Sequence, residues 1–283
     1  MIQIGGFEIH LVSDGHFRLD GGAMFGVIPK ALWEKPRPPD ERNRIFLALG
    51  CLLIKTPSGK WVLVDTGLSD KYEKDPKFLK IYGVERPRTL RDDLAGLGLT
   101  PADISLVINT HLHFDHCGGN TVWEPGSNRP IPAFAKAKYI VQKDELEDAA
   151  HPHERNQASY LTENFECLDR MKRLELVQGE FEIEPGLKTL RSGGHTRGHQ
   201  CVVIESGFQG AIFLGDLIPT VSHVPLPWIM GYDLFPLETL ESKRRILAMA
   251  QERRWLLLFQ HDPAQRSGYL EKHDGRMIVV PPK

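Results

Sequence analysis

Six residues, His111-Leu112-His113-Phe114-Asp115-His116, constrain this chain more than any other stretch, because they set three imidazoles and one carboxylate directly after a strand-like run, Ile104 to Asn109. Side chains alternate along a strand with period two, so His111 and His113 point to one side at the strand's end. Asp115 and His116 turn back from the loop that follows. Neutral imidazole nitrogen and carboxylate oxygen are the donors that a zinc-like divalent ion takes at about 2.0–2.2 Å. A lone histidine is ordinarily a hydrogen-bonded core or surface residue; four ligand-type residues this close read as a metal site. Cys117-Gly118-Gly119-Asn120 come next, and the two glycines are expected to let the backbone approach the ions closely.

The pattern around this segment is that of a layered α/β fold. Cys51 to Lys55 and Trp61 to Val64 flank the turn signal Thr56-Pro57-Ser58-Gly59, a hairpin. From Thr89 the run TLRDDLAGLGL is helix-like and ends in glycines, and Thr100-Pro101 offers an N-cap followed by a helix-starting proline. Further strands are expected at Tyr139 to Val141, Cys201 to Ile204 and Ala211 to Leu214. Leu237 to Arg254 is the strongest helix: Leu237, Leu240, Leu247 and Ala250 recur at helical spacing, with Glu238 and Glu241 early and Arg253 and Arg254 late. Trp255 to Phe259 follows as a buried strand that delivers Gln260-His261-Asp262 at its end. The Pro-rich stretch Lys35 to Asn43 reads as an exposed loop.

Composition narrows the class. Hydrophobic residues at 41% and charged residues at 25% are globular proportions. A formal charge of −2 lacks the basic excess that binding to a nucleic-acid backbone leaves. No apolar run approaches the ~20 residues of a membrane span, and the N-terminus has no secretion-signal pattern, so the cytoplasm is the default location. Cys51, Cys117, Cys167 and Cys201 form no CxxC pair and are expected to be buried free thiols. A single domain over residues 1–283 is expected, with residues 1–45 as an N-terminal extension or loop region.

The segment NTHLHFDHCGGN, Asn109 to Asn120, resembles the signature of the metallo-β-lactamase superfamily. VDTG (Val64 to Gly67), GGHTRGH around His195, FLGDL around Asp216 and QHD around His261 resemble the family's other segments, in family order, over roughly residues 45 to 265. The resemblance implies an αββα sandwich and two divalent metal ions per chain, zinc first, with iron, manganese and cobalt also compatible with such ligands. It implies one ion on His111, His113 and His195, the other on Asp115, His116 and His261, and Asp216 bridging them. Asp65 resembles the carboxylate that orients ligands in the family, a role that coexists with the plainer one of starting a turn. His151, His153 and His199 are expected at the surface or as partners of the ligands. His223, Trp228 and Tyr232 are candidates to line the substrate pocket; for Met24 and Phe25 a pocket and ordinary packing stay equally open.

Two such ions about 3.5–4 Å apart share an activated hydroxide and polarise the substrate. Asp115 is then expected to orient the nucleophile and pass a proton to the leaving group. Asp216 stands where the zinc β-lactamases of the family carry Cys, and His113 where its flavo-diiron proteins carry Glu, so neither activity is expected. The length, the N-terminal portion and the segment ERNQASYLTENFE resemble the lactonase and phosphotriesterase branch. The expectation is a hydrolase that opens lactones or cleaves related esters, N-acyl-homoserine-lactonase-like. An organophosphate triesterase, a glyoxalase II-like thioesterase and, outside enzymes, an inactive metal-binding module are the alternatives. Quorum-signal lactonases carry a Tyr three residues after the bridging Asp; here that residue is Pro219, with Tyr232 as a candidate substitute. The expected partner is a small-molecule substrate, and a homodimer is the default oligomer.

Overall fold

The computed structural model describes residues 1–282, and the chain divides into two units, Met1–Gly15 with Leu49–Gly179 and His16–Ala48 with Glu180 onward. The first unit carries a mixed sheet of seven strands: β1 (Ile2–Ile4), β2 (Phe7–Asp20), β3 (Arg44–Lys55), β4 (Trp61–Val64), β5 (Ile104–Ile108), β8 (Lys138–Gln142) and β9 (Leu174–Val177), in the order β1-β2-β3-β4-β5-β8-β9. Strands β2 and β3 continue past the unit's limits. Two further strands, β6 (Thr121–Trp123) and β7 (Pro130–Pro132), form a separate ribbon. The expected hairpin is present: β3 and β4 pair antiparallel from Leu52↔Val64 to Lys55↔Trp61, turned by Gly59 at φ 84°. From β4 onward the pairing is parallel, with Val64 opposite Ile108 and Ile108 opposite Ile140. Strands β4 and β5 therefore end level, with β8 running two residues further, at the edge where an α/β sheet presents its functional loops.

Helix Leu90–Gly96 begins with a capping box between Thr89 and Asp92, which satisfies two of the amide groups left over at a helix start. Leu90 and Leu94, one turn apart, enter the core beside Leu53, Leu63, Val107 and Tyr139. Buried Asp14 ties this helix to the loop after β4, accepting from the amides of Leu90 (3.1 Å), Leu68 (3.0 Å) and Ser69 (2.8 Å) and pairing with Arg86 at 2.8 Å.

The second unit carries seven strands in sequence order: β10 (Phe181–Glu184), β11 (Leu187–Arg191), β12 (Gln200–Ser206), β13 (Gln209–Phe213), β14 (Leu256–Leu258), β15 (Ser267–His273) and β16 (Arg276–Val280). Strands β13 and β14 are parallel, joined through the helix Pro236–Glu252. Its inward face keeps Leu247 and Ala250 of the stripe expected from the sequence, with Leu240 half-buried, and departs from it in the first turn. Leu237 is 78% exposed, and the buried positions are Thr239, Ser242, Lys243, Ile246, Leu247 and Ala250. The cause is a close backbone approach: a Cβ on Gly194 would lie 2.6 Å from Thr239 Cα, and Ser242 donates to the Ser192 carbonyl at 2.6 Å. Small polar residues fit against that loop where leucine would not.

Residues 1–45 supply β1, β2 and the short helices Gly21–Phe25 and Lys30–Trp33, with Phe25 and Trp33 fully buried. The Pro-rich stretch is pinned rather than loose, because the half-buried Arg37 pairs with buried Asp262. All four cysteines are buried free thiols. Among the described residues no helix is long and apolar enough to cross a membrane.

Candidate metal centre

In the first unit the ligand-rich segment is anchored from three sides. Asp65, the residue after β4, is held at φ 54° and fully buried. Its Oδ1 accepts the Thr110 amide at 2.7 Å, and its Oδ2 accepts the Thr110 hydroxyl at 2.7 Å and lies 3.0 Å from His116 Nδ1. A carboxylate on Nδ1 fixes the proton there and leaves Nε2 as the neutral lone-pair donor. His116 Nε2 is 3.4 Å from Asp115 Oδ2. The His111 ring lies 3.9 Å from that of His116 and 4.4 Å from that of His113, centroid to centroid. The loop itself hangs on Glu145, whose Oε1 accepts the Leu112 amide at 2.9 Å and the Tyr160 hydroxyl at 3.0 Å; the Tyr160 ring in turn meets His113 edge-on at 4.9 Å.

The glycines serve a different purpose from the expected approach to the ions. A Cβ on Gly119 would lie 2.2 Å from the Thr66 carbonyl and one on Gly118 2.4 Å from the Leu68 carbonyl. They let the 116–119 backbone seat on the loop after β4: the Thr66 amide donates to the His116 carbonyl at 2.7 Å and the Gly119 amide to the Gly67 carbonyl at 3.1 Å. Buried Lys71 secures the far side by donating to the Gly118 carbonyl at 2.7 Å. Burial pushes its ammonium down to about 8.

In the second unit Asp216 stands between two imidazoles. His195 Nε2 faces its Oδ2 at 3.2 Å, and His261 Nε2 faces its Oδ1 at 3.0 Å. Each ring is held by its other nitrogen, His195 Nδ1 by Asp233 at 2.9 Å and His261 Nδ1 by the Ala48 carbonyl at 2.7 Å. Fully buried His199 accepts the Asp216 amide at Nε2 (3.0 Å), so its Nδ1 carries the proton toward Ser192 Oγ at 2.6 Å. One imidazole on each oxygen of a buried carboxylate, both with the tautomer set from behind, suits a bridging ligand of two cations. Buried groups of three His and Asp side chains with ligand atoms within 4.8 Å of one another occur among the described residues. The donor set therefore fits divalent ions.

The remaining candidates fall elsewhere. His223 is a packing residue: Nδ1 lies 2.8 Å from Thr220 Oγ1, Nε2 2.8 Å from the Met24 carbonyl, and the ring stacks on Phe25 at 4.6 Å. Burial pushes its pKa down to about 3, so the ring is neutral. Met24 and Phe25 are buried, with Phe25 also stacked on Trp33 at 5.3 Å and edge-on to half-buried Trp228 at 5.6 Å, which is the packing alternative. Tyr232 is half-buried, His151 is exposed and His153 lies in the same surface turn. Sequence reasoning missed Asp233 and Lys243. Lys243 Nζ, inside the core, donates to the carbonyls of His223, Pro225, Leu226 and Trp228 and so shapes the loop that leads to Asp233. Burial pushes this ammonium down to about 7. Asp233 has no ligand-type neighbour in sequence, so no local spacing marks it.

Comparison with known proteins agrees with this geometry. The Metallo-beta-lactamase superfamily pattern matches residues 51–261. An N-acyl homoserine lactonase of a Bacillus sp. is 30% identical over 233 residues, which are 78% of this chain and 84% of that protein. The N-acyl homoserine lactonase AiiA of Bacillus thuringiensis subsp. kurstaki is 29% identical over 230 residues, 77% and 83% of the two chains. Among solved structures, a probable metal-dependent hydrolase from Staphylococcus aureus superposes with TM-score 0.89 at 34% identity over the whole of both chains. The dizinc quorum-quenching lactonase AidC superposes with TM-score 0.79 at 20% identity, covering 100% of this chain and 96% of its own, a likeness of fold. With mixed sheets that end in His- and Asp-rich loops, a family match through every one of those loops and lactonases as relatives, this metal-dependent hydrolase belongs to the metallo-β-lactamase superfamily.

Proposed function

We propose that the protein is a dinuclear metallohydrolase that opens lactones or cleaves closely related esters. In this reading His111, His113 and His195 hold one ion, Asp115, His116 and His261 the other, and Asp216 bridges. The observation that carries the dinuclear part is the Asp216 carboxylate, with His195 on one oxygen and His261 on the other. Similarity to the Bacillus N-acyl homoserine lactonases supports the substrate class.

When bound, such ions supply Lewis acidity and a water acidic enough to attack at neutral pH. Asp65 and Asp233 hold the Nδ1 protons of His116 and His195, which keeps both Nε2 lone pairs available. Asp115, nearly buried, takes the proton of the attacking water at its Oδ and returns it to the alkoxide that leaves as the ring opens. Burial of the ligands excludes bulk water, which strengthens each of these interactions. Two zinc-type ions per chain, a homodimer and a cytoplasmic location complete the proposal.

A panel of lactones, aryl esters, thioesters and phosphotriesters, run on protein purified without chelator, tests it alongside elemental analysis. The expected result is the largest kcat/KM for a lactone or ester and about two ions per chain, since the donor set exceeds what one tetrahedral ion uses. Efficient cleavage of a phosphotriester or glutathione thioester without lactone or ester turnover would overturn the substrate assignment. A stoichiometry near one at full activity would overturn the dinuclear one.

A further inference from the structure

Residues Pro76–Tyr82 form a seven-residue helix that contributes no buried residue to the core. It is nonetheless well defined at both ends: Asp75 accepts from the amides of Lys77 (2.9 Å) and Phe78 (3.1 Å), and Gly83, in the left-handed region at φ 53°, caps it by donating a hydrogen bond from its amide to the Leu79 carbonyl at 2.8 Å. Ring contacts turn one side of it inward. Phe78 stacks on Tyr72 at 4.7 Å and meets Phe114 edge-on at 5.4 Å; Tyr82 lies 4.6 Å from Phe78 and 4.9 Å from Phe114. Phe114 is the residue between His113 and Asp115, so the helix is clasped onto the ligand segment by aromatic packing.

Tyr82 differs from the other tyrosines packed nearby. Tyr72 commits its hydroxyl to Asn164 at 2.9 Å, Tyr139 to the Asn120 carbonyl at 3.1 Å and Tyr160 to Glu145 at 3.0 Å. The Tyr82 hydroxyl, on a half-buried ring, makes no hydrogen bond among the described residues. Burial pushes this phenol above its ordinary value, which keeps it a protonated donor, and its ring contact with Phe114 sets it against the residue that precedes Asp115. A hydroxyl with no protein partner, on a ring packed against the residue that precedes Asp115, is suited to a ligand oxygen.

We propose that Tyr82 is a substrate-contacting residue, its ring fixed by Phe78 and Phe114 and its hydroxyl donating a hydrogen bond to a substrate oxygen held beside Asp115. The assignment rests on the hydrolase reading above and extends it with a specificity-determining donor from a helix outside the ligand motifs. Tyr82→Phe keeps the ring stack and deletes only the hydroxyl; Tyr82→Ala removes both.

The test compares these variants with wild type on the best substrate of the panel and, by calorimetry, in binding of a hydroxy acid, the product class of lactone opening. For Tyr82→Phe the expected result is a loss of about 10-fold to 100-fold in kcat/KM with most of the loss in kcat, a weaker hydroxy-acid Kd, and unchanged metal content and Tm. Turnover and binding within about twofold of wild type for Tyr82→Phe, with Tyr82→Ala impaired, would reduce Tyr82 to packing and overturn the proposal. If wild type cleaves only a phosphotriester or thioester, the lactone reading fails while Tyr82 is judged on the substrate that is cleaved. No turnover across the panel together with no hydroxy-acid binding overturns both.

Discussion

Lys243→Met takes a buried ammonium out of the second unit while leaving a side chain of similar length. In the wild type Nζ lies 2.6 Å from the His223 carbonyl oxygen, 2.8 Å from that of Trp228, 3.0 Å from that of Pro225 and 3.3 Å from that of Leu226. An ammonium has three N–H groups, so the four oxygens share them. The Pro225 carbonyl also accepts the Trp228 amide at 2.9 Å and keeps a donor in the variant. The Leu226 and Trp228 carbonyls sit in a half-buried stretch where water can replace the lost bond. The His223 carbonyl is buried and stays unsatisfied. One orphaned buried carbonyl costs about 1–3 kcal/mol and each charged bond exchanged for water about 1 kcal/mol. Removal of a buried charge returns part of this. A net loss of roughly 2–3 kcal/mol remains, which lowers Tm by about 5–10 °C for a protein of this size. Thermal unfolding of the metal-free variant, followed by circular dichroism at about pH 6, where a group titrating at about 7 is charged, measures it directly. A Tm within about 2 °C of wild type would refute the reasoning.

Two further substitutions test the partners of the ligands and the buried histidine. Asp233→Asn keeps an acceptor for the Met230 amide, now 3.1 Å from Asp233 Oδ2, but turns an NH2 toward His195 Nδ1 and so moves the ring proton to Nε2. Metal affinity should fall about 10-fold to 100-fold, read by competition with a chromogenic chelator; unchanged affinity would remove Asp233 from the site. For His223 the folded pKa of about 3 lies below the ordinary 6.5, so between those values the unfolded chain takes up a proton that the folded chain excludes, and stability falls as pH drops through that window. His223→Gln should flatten the acid slope of the urea unfolding free energy by up to about 1.4 kcal/mol per pH unit; equal slopes would show that the residue does not titrate this way.

Much of the site is legible in the chain because its determinants are local. The period of a strand and the spacing of HLHFDH place four ligand-type residues at the end of β5, and Gly59 and the Thr89–Asp92 box mark a turn and a helix start within a few residues of themselves. Long-range approach decides the rest, and no periodicity encodes it. The Asp233 carboxylate reaches His195 across 38 positions, and His199 receives the Asp216 amide across 17. Gly118 and Gly119 read as room for ions, yet they make room for the carbonyls of Thr66, Gly67 and Leu68, which come near only when β4 and β5 lie parallel. The stripe of the helix Pro236–Glu252 holds at Leu247 and Ala250, while in its first turn the backbone of Gly194 admits Thr239 and leaves Leu237 outside. His223 reads as a candidate to line the substrate pocket; the tertiary structure occupies both of its nitrogens and removes it from water, so a neutral, satisfied imidazole has neither a free donor nor a free lone pair to offer a substrate.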